Sequence, residues 1–131
     1  MTQHGPSMRT PLGRVRHLGS AKSGTAHFWH QRLTAVLDIP LTIAAVIIVI
    51  SLFGRDHAAV AAILGSAFVA IVMILFIVIS VYHMWLGMQV IIEDYVHEER
   101  LKFIALMGNS LFSFAVGLTA VFAILNLSYR V

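Results

Sequence analysis

The sequence predicts an all-α membrane protein with three transmembrane helices, a cytoplasmic N-terminus and a periplasmic C-terminus. Hydrophobic residues make up 59% of the chain and charged residues only 11%, whereas soluble domains carry about 25% charged residues. No charged residue occurs at positions 58–92 or 103–128, and apolar runs of this length are typical of membrane spans. Both observations argue against a water-soluble fold.

Residues 1–32 are predicted to form a cytoplasmic basic arm ahead of a membrane domain at residues 33–131. A basic segment before an apolar one also occurs in signal peptides, but the apolar run here is longer than a signal-peptide core and contains Asp38, so we do not expect cleavage. The arm is either a solvated tail that fixes orientation or a strap that docks a soluble partner. It holds five of the nine Lys and Arg residues behind the formal charge of +3, which indicates a topology signal and no nucleic-acid partner.

The first predicted span covers approximately residues 33–53 and follows Trp29 and Arg32, two residue types that suit the membrane interface. Asp38 lies six residues beyond Arg32, ~9 Å deeper along a helix. Pro40 removes a backbone hydrogen bond nearby, so a kink is expected. Asp38 is either a carboxylate satisfied by Arg32 or by freed backbone donors, which we favour, or part of a proton relay.

The apolar run at residues 58–92 would be roughly 52 Å long as one helix, which exceeds a single ~30 Å span even with tilt. Its first residues therefore form a turn at the interface, or the helix extends beyond the bilayer. We place the second span at approximately residues 66–92 and the third at 103–127. In the third, Ser113, Gly117 and Ala120 have the small-residue spacing that favours close helix packing.

Orientation follows from the distribution of Lys and Arg near the spans. The arm and the connection at residues 93–102 would share one side of the membrane and hold most of the basic residues, whereas the other side holds only Arg55 and Arg130. Because positive loops stay in the cytoplasm, the N-terminus is predicted to be cytoplasmic.

His83 is the residue that a simple membrane anchor would not need. It lies eleven residues before Asp94, ~16 Å along a helix, and therefore near mid-bilayer if the acids mark the surface. An ionisable side chain at that depth indicates a functional site. With no cysteine in the chain, His is one of the few available haem ligands. The residue either ligates a haem or hydrogen-bonds a Ser or a carbonyl of a neighbouring helix, and the sequence leaves both roles open.

The helix around His83 carries further features. Gly87 lies ~40° from His83 around a helix and Asp94 ~20° from it, so a gap and a carboxylate share its face, and Gly87 suits close approach of a helix or a flat macrocycle. No second His lies at matching depth, so a haem bound by two imidazoles needs a ligand from another polypeptide. Tyr95, at the membrane surface, is either an interfacial aromatic residue or a hydrogen-bond donor to a quinone carbonyl.

The run His83-Met84-Trp85-Leu86-Gly87-Met88, followed by Asp94-Tyr95, resembles the motif of the succinate dehydrogenase hydrophobic membrane-anchor subunit, the D-type partner of a cytochrome b subunit. Residues 19–24 and 29–35 look like alphaproteobacterial members of that family. The resemblance extends over nearly the whole chain from about Leu18.

The resemblance implies roles for four residues. His83 matches the axial ligand of haem b, whose second ligand comes from the cytochrome b subunit. Tyr95 matches the tyrosine that hydrogen-bonds the ubiquinone carbonyl, and Asp94 matches the neighbouring acid of the quinone site. Arg32 matches an arginine near the haem propionates, a sensible pairing of cation and carboxylate. No residue of this chain is expected to be catalytic towards succinate.

The resemblance also implies a multi-pass subunit of an oxidoreductase in the bacterial inner membrane, with haem b, ubiquinone as substrate, and cytochrome b, iron–sulfur and flavoprotein subunits as partners. The sequence itself has no flavin-binding or succinate-binding motif. Three alternatives stay open. They are a fumarate reductase anchor working in the opposite direction, a small proton-coupled transporter component with Asp38 and His83 in a common aqueous cavity, and a structural anchor without a cofactor.

Overall fold

The protein is a bundle of long helices, described here from a computed structural model that covers residues 24–129 together with residues 10 and 12. Its helices in residues 24–129 are α1 (Gly24–Leu52), α2 (His57–Gly65), α3 (Ala67–Tyr95) and α4 (Glu99–Tyr129). Three segments are long and apolar enough to cross a membrane: Thr25–Leu52, Ala67–Tyr95 and Glu99–Tyr129. The predicted all-α architecture with three spanning helices is confirmed, and the orientation of the termini stays a prediction.

Helix α1 begins at Gly24, nine residues before the predicted start of the first span. Hydropathy detects the part of a helix that lies in hydrocarbon, whereas a helix of 29 residues is ~43 Å long and extends beyond a ~30 Å core. Its polar first turns therefore belong to the predicted arm. The basic residues of the arm before Gly24 lie outside the described residues. Pro40 lies within α1, which continues through it to Leu52.

The long apolar run of the sequence is divided into two helices. Asp56 ends the loop after α1, and its Oδ1 accepts a hydrogen bond from the Ala59 backbone N–H at 3.1 Å, which caps α2. The chain is extended at Ser66, and α3 begins at Ala67. The Oγ of Ser128, at the end of α4, donates to the Gly65 carbonyl at 3.1 Å. The residues ahead of the span were expected to form a turn or to continue the long helix, and they form the separate short helix α2 instead.

Helix α3 lies between α1 and α4 and packs against both. It packs closely on α4 at Gly117, where a Cβ would lie 3.3 Å from Val81 Cγ1. Ser113, one turn earlier on α4, is buried. Ser113 and Gly117, two of the three small residues singled out in the third span, therefore face α3.

The turn between α3 and α4 is fixed by hydrogen bonds from both sides. His97 Nδ1 lies 3.1 Å from the carbonyl oxygen of Tyr95, the last residue of α3. The carboxylate of Glu98 accepts from the backbone N–H groups of Arg100 and Leu101 at the start of α4. Lys102 Nζ then donates to the Glu93 carbonyl at 3.0 Å. These contacts hold the charged end of α3 against α4.

Most large apolar side chains face outward. The buried apolar residues within the described part of the chain are few, namely Ala45, Ala70, Leu86, Ile92 and Ile124. On α4, Phe103, Phe114 and Phe122 are each more than 60% exposed. Apolar surface of this extent must be covered by lipid or by other subunits, because its exposure to water is energetically unfavourable.

Candidate functional site

His83 lies in the middle of α3, about sixteen residues or ~24 Å from its first residue and ~18 Å from Tyr95. The imidazole is half-buried, and its Nδ1 lies 2.9 Å from the Oγ1 of Thr34 on α1. Thr34 itself is 5% exposed. The partner is a hydroxyl of a neighbouring helix, as one of the two predicted roles requires. The other ring nitrogen, Nε2, has no hydrogen bond within the described residues.

A second interhelical hydrogen bond lies one turn away. Ser80 Oγ donates to Asp38 Oδ1 at 2.6 Å, and both residues are half-buried. The expectation that Asp38 is satisfied by Arg32 or by backbone donors is wrong, because the carboxylate points across to α3 and meets the serine. Within the described residues Asp38 has no ion pair.

Asp38 and His83 line one cavity of about 380 Å³ on the surface of the bundle. Its other walls come from α1: Ala35, Ile39, Thr42 and Ile43. The cavity thus combines an imidazole, a carboxylate and a hydroxyl with apolar walls, a composition typical of cofactor sites.

Gly87 was expected to allow close approach of a helix or a macrocycle. A Cβ at Gly87 would lie 3.4 Å from Nε2 of the Gln31 side chain, which is ordinary van der Waals contact. No backbone atom of α1 lies within 4 Å of that position, so the expected close helix approach is not found at Gly87. The Gln31 Oε1 atom is buried without a hydrogen-bond partner in the described part of the protein.

Arg32 is exposed, and its guanidinium lies 4.9 Å from the centre of the Phe28 ring. Around α1, Arg32 lies within ~20° of Ile39 and Ile43, two residues that line the His83 cavity. Its side chain therefore emerges on the same stripe of the helix, ~10 Å along the axis from Ile39.

Tyr95 is the last residue of α3 and is 78% exposed. Among residues 24–129 no side chain pairs with its phenol, and Asp94 beside it is exposed as well. Neither residue contacts His83, which is ~16–18 Å away along the helix. The structure therefore has two separate candidate regions, one at mid-helix and one at the charged end of α3.

Thr34 and Ser80, the partners of the two polar residues in the spans, were missed by the sequence reasoning. Thr34 lies four residues before Asp38, and Ser80 three before His83. Such spacings place the two members of each pair on one face of a helix. The occurrence of one such polar pair in each of two apolar spans was the sequence signal that could have indicated which faces of α1 and α3 pack together.

A further polar cluster lies nearer the start of α1. His30 Nδ1 lies 2.6 Å from the Tyr82 hydroxyl, and the Tyr82 ring stacks on Trp85 with centroids 5.7 Å apart. These residues border a cavity of about 510 Å³ that also receives His27, Gln89 and Glu93. His30 was placed only near an interface, and its contact with α3 could not be read from position alone.

Within the described residues no three His, Asp or Glu side chains converge in a way that could hold a metal ion. His83 is therefore a single candidate ligand. Any metal it binds would need its remaining ligands from a cofactor or from another chain.

Comparison with known proteins gives a consistent family. Residues 6–122 match the family described as succinate dehydrogenase/fumarate reductase transmembrane subunit. The succinate dehydrogenase hydrophobic membrane anchor subunit of Paracoccus denitrificans is 31% identical over 115 residues, 88% of each chain. That of Rickettsia bellii is 30% identical over 122 residues, 93% of this chain and 95% of the relative. The succinate dehydrogenase membrane anchor subunit of Reclinomonas americana is 33% identical over 96 residues, 71% of this chain and 80% of the relative.

No solved structure matches the chain at a significant level. The family match covers most of the sequence, with the first two spans complete and most of the third, and the relatives agree with it over most of their lengths. The chain belongs to the succinate dehydrogenase/fumarate reductase transmembrane subunit family.

Proposed function

We propose that this chain is the hydrophobic membrane-anchor subunit of a succinate dehydrogenase, the succinate:quinone oxidoreductase of the respiratory chain. Three apolar helices with exposed outer faces and the family match support the role of an anchor. The sequence has no motif for succinate or flavin, so oxidation of succinate belongs to a flavoprotein subunit and electron transfer to an iron–sulfur subunit. This chain holds them at the membrane together with a cytochrome b subunit.

The observation that carries the cofactor assignment is the position of His83. Its half-buried ring borders a cavity at mid-span, and its Nε2 is free of hydrogen bonds within the described residues. A neutral imidazole nitrogen with a free lone pair is a haem ligand. The residues therefore fit haem b, with the second axial ligand from the cytochrome b subunit. When bound, the haem supplies a site that accepts and returns one electron at a time.

Arg32 is proposed to bind the haem propionates. The exposed guanidinium lies on the same stripe of α1 as the residues that line the His83 cavity. Contact with the Phe28 ring holds the side chain near the helix without consuming its hydrogen-bond donors. A guanidinium in this position can form paired hydrogen bonds with carboxylates.

Tyr95 is proposed to donate a hydrogen bond to the ubiquinone carbonyl, with Asp94 as its neighbour in the quinone site. Its phenol is 78% exposed, and it stands at the end of a spanning helix where a lipid-soluble headgroup meets the membrane surface. The turn that follows is fixed by His97 and Lys102, so the phenol projects from a well-supported backbone. Reduction of the quinone needs protons, and Asp94 is an exposed group beside Tyr95 that can deliver them.

The proposed location is the bacterial inner membrane with the N-terminus in the cytoplasm. The basic residues of the arm and of the connection between α3 and α4 support this orientation. Tyr95 and Asp94 then lie on the cytoplasmic side, where the soluble subunits would dock.

The first test is a reduced-minus-oxidised absorption spectrum of the tagged chain, purified from its native membranes in mild detergent. A b-type haem signal with a flavoprotein in the same fraction is expected. His83→Ala should abolish the haem signal, whereas His57→Ala, at the exposed start of α2, should preserve it. An intact preparation with neither haem nor flavin would refute the proposal.

A second function keeps one observation in its favour. A proton-coupled transporter component requires Asp38 and His83 to share a cavity, and they do. That function predicts purification without any flavoprotein and loss of transport in Asp38→Asn.

A fumarate reductase anchor has the same architecture and differs in the direction of turnover. A comparison of succinate oxidation and fumarate reduction by the purified complex would decide between the two directions.

A further inference from the structure

Thr34 makes three contacts through one hydroxyl oxygen. Its Oγ1 lies 2.7 Å from the His30 carbonyl oxygen, 3.1 Å from the Gln31 carbonyl oxygen and 2.9 Å from His83 Nδ1. A threonine hydroxyl has one hydrogen to donate and two lone pairs that accept. The three contacts therefore cannot all be donated by Thr34, and the assignment of its single hydrogen decides the state of the imidazole.

The hydroxyl hydrogen must point to the carbonyls of α1. A carbonyl oxygen has no hydrogen, so two oxygens 2.7 Å apart need the hydrogen of the hydroxyl between them. This distance is typical of an O–H···O hydrogen bond. With its hydrogen directed to the His30 carbonyl, and shared with that of Gln31, the Oγ1 of Thr34 has only lone pairs for His83.

His83 Nδ1 must then be the donor. The 2.9 Å separation is typical of an N–H···O hydrogen bond, and a ring nitrogen that donates carries the proton of the neutral imidazole. The proton is thus on Nδ1, and Nε2 has a free lone pair. Which ring nitrogen is available to a metal is set by the hydrogen bond that the other one makes.

We propose that Thr34 is the positioning residue of the haem site: it selects the Nδ1–H tautomer of His83 and orients the ring so that Nε2 is presented to the cofactor. The inference rests on the proposed role of His83 as haem ligand. It adds a residue of α1 to a site otherwise defined by α3. Thr34 does not touch the cofactor and acts through the imidazole.

The surroundings strengthen this hydrogen bond. Thr34 is 5% exposed, so water does not compete for the His83 N–H. Among the described residues, Asp38 is the one carboxylate that lines the same cavity, and it is already hydrogen-bonded to Ser80. A neutral hydroxyl, and not a carboxylate, is therefore the acceptor for the imidazole. Partners of this kind raise ligand basicity, and their loss costs about ten- to a hundredfold in metal affinity.

The haem-independent test is nitrogen NMR of the full chain in detergent with ¹⁵N-labelled histidine. His83→Gln identifies the His83 signals by difference. We expect a protonated Nδ1 and an unprotonated Nε2 in the unchanged chain and in Thr34→Ser. Thr34→Val, which keeps the shape and loses the acceptor, should lose that pattern. An Nε2–H tautomer in the unchanged chain, or the same spectrum in Thr34→Val, would overturn the proposal.

The second test uses the purified complex with its haem. Thr34→Val should raise the ratio of reduced to oxidised haem at a fixed potential by up to about tenfold, equivalent to 59 mV for one electron, and should release haem more readily. Thr34→Ser should restore both properties. Thr119→Val is the matched control: Thr119 is an exposed threonine of α4, away from the His83 cavity, so its replacement should leave both properties unchanged.

The outcomes separate the two proposals. A complex that purifies without haem, or one that keeps its haem in His83→Ala, refutes His83 as the proposed haem ligand, and the NMR result then still tests the hydrogen bond between Thr34 and His83. A haem that depends on His83 but has the same potential and retention in Thr34→Val overturns the role of Thr34 and leaves the proposed function standing.

Discussion

The hydrogen bond between Ser80 and Asp38 predicts a measurable energetic coupling between α3 and α1. Its length of 2.6 Å lies within the range of a hydroxyl that donates to a carboxylate, about 2.5–2.7 Å. A hydrogen bond to a charged group contributes roughly 1.5–3 kcal/mol, whereas interhelical hydrogen bonds measured in a membrane protein average about 0.6 kcal/mol. Because both residues are half-buried and neither has another partner across helices in the described part of the chain, we expect the larger value.

The assay is a double-mutant cycle with Asp38→Ala, Ser80→Ala and the double variant. Unfolding is followed by circular dichroism as SDS replaces the mild detergent in mixed micelles. The two single substitutions remove the same hydrogen bond, so the double variant should lose about 1.5–3 kcal/mol less stability than the sum of the single losses.

Ser51 provides the matched control. It is an exposed serine of α1 whose Oγ donates only to the Ile48 carbonyl of its own helix, at 2.6 Å. The cycle of Asp38→Ala with Ser51→Ala should therefore show coupling within about 0.5 kcal/mol of zero. A coupling energy for Asp38 and Ser80 that is no larger than in this control would refute the reasoning. A coupling energy of about 0.6 kcal/mol would refute our choice of the larger of the two magnitudes.

Two further predictions concern the quinone site and the packing of α4. Tyr95→Phe removes the hydrogen bond proposed to the quinone carbonyl and should lower succinate:quinone reductase activity by about tenfold, while reduction of a soluble acceptor is preserved; equal loss in both assays would contradict the proposed role of Tyr95. Gly117→Leu should destabilise the chain by about 1–3 kcal/mol through overpacking, because even a Cβ would lie 3.3 Å from Val81. Gly108→Leu, on the same helix but with nothing within 4 Å of its Cβ position, should change stability by less than about 0.5 kcal/mol in the SDS titration, and similar effects at both glycines would count against the packing argument.

The three spans could be predicted from the sequence because each is a local property of a continuous apolar run. Most ends of the helices could not be predicted. Hydropathy falls where the hydrocarbon core of the membrane ends, whereas a hydrogen-bonded helix can continue beyond that point. Helix α1 thus continues nine residues towards the N-terminus from the predicted start. The start of the second span is the exception, because its predicted position at residue 66 is one residue before Ala67, where α3 begins. The short helix α2 ahead of it was not predicted, although Asp56 is a typical N-cap residue.

The polar residues within the spans were recognised as exceptional, and their partners were not. Asp38 was assigned to Arg32, a neighbour on its own helix, whereas the carboxylate meets Ser80 of α3. Contacts between helices depend on the rotation and axial position of each helix, and no single segment of sequence encodes these. Only the paired spacing of Thr34 with Asp38 and of Ser80 with His83 contained information about the facing surfaces.

That paired spacing also determines how firmly His83 is held. The two residues of α1 are ~6 Å apart along the helix axis and the two of α3 ~4.5 Å apart, and the helices join them in antiparallel order, Thr34 with His83 and Asp38 with Ser80. A rotation of α3 by one residue, ~100°, would turn both donors away, and an axial shift by one turn would exchange one pair and leave the other unmatched. Two hydrogen bonds therefore fix rotation and translation together. The fold therefore sets the orientation of the imidazole, and the haem proposed to bind His83 would not have to offset the cost of ordering its ligand.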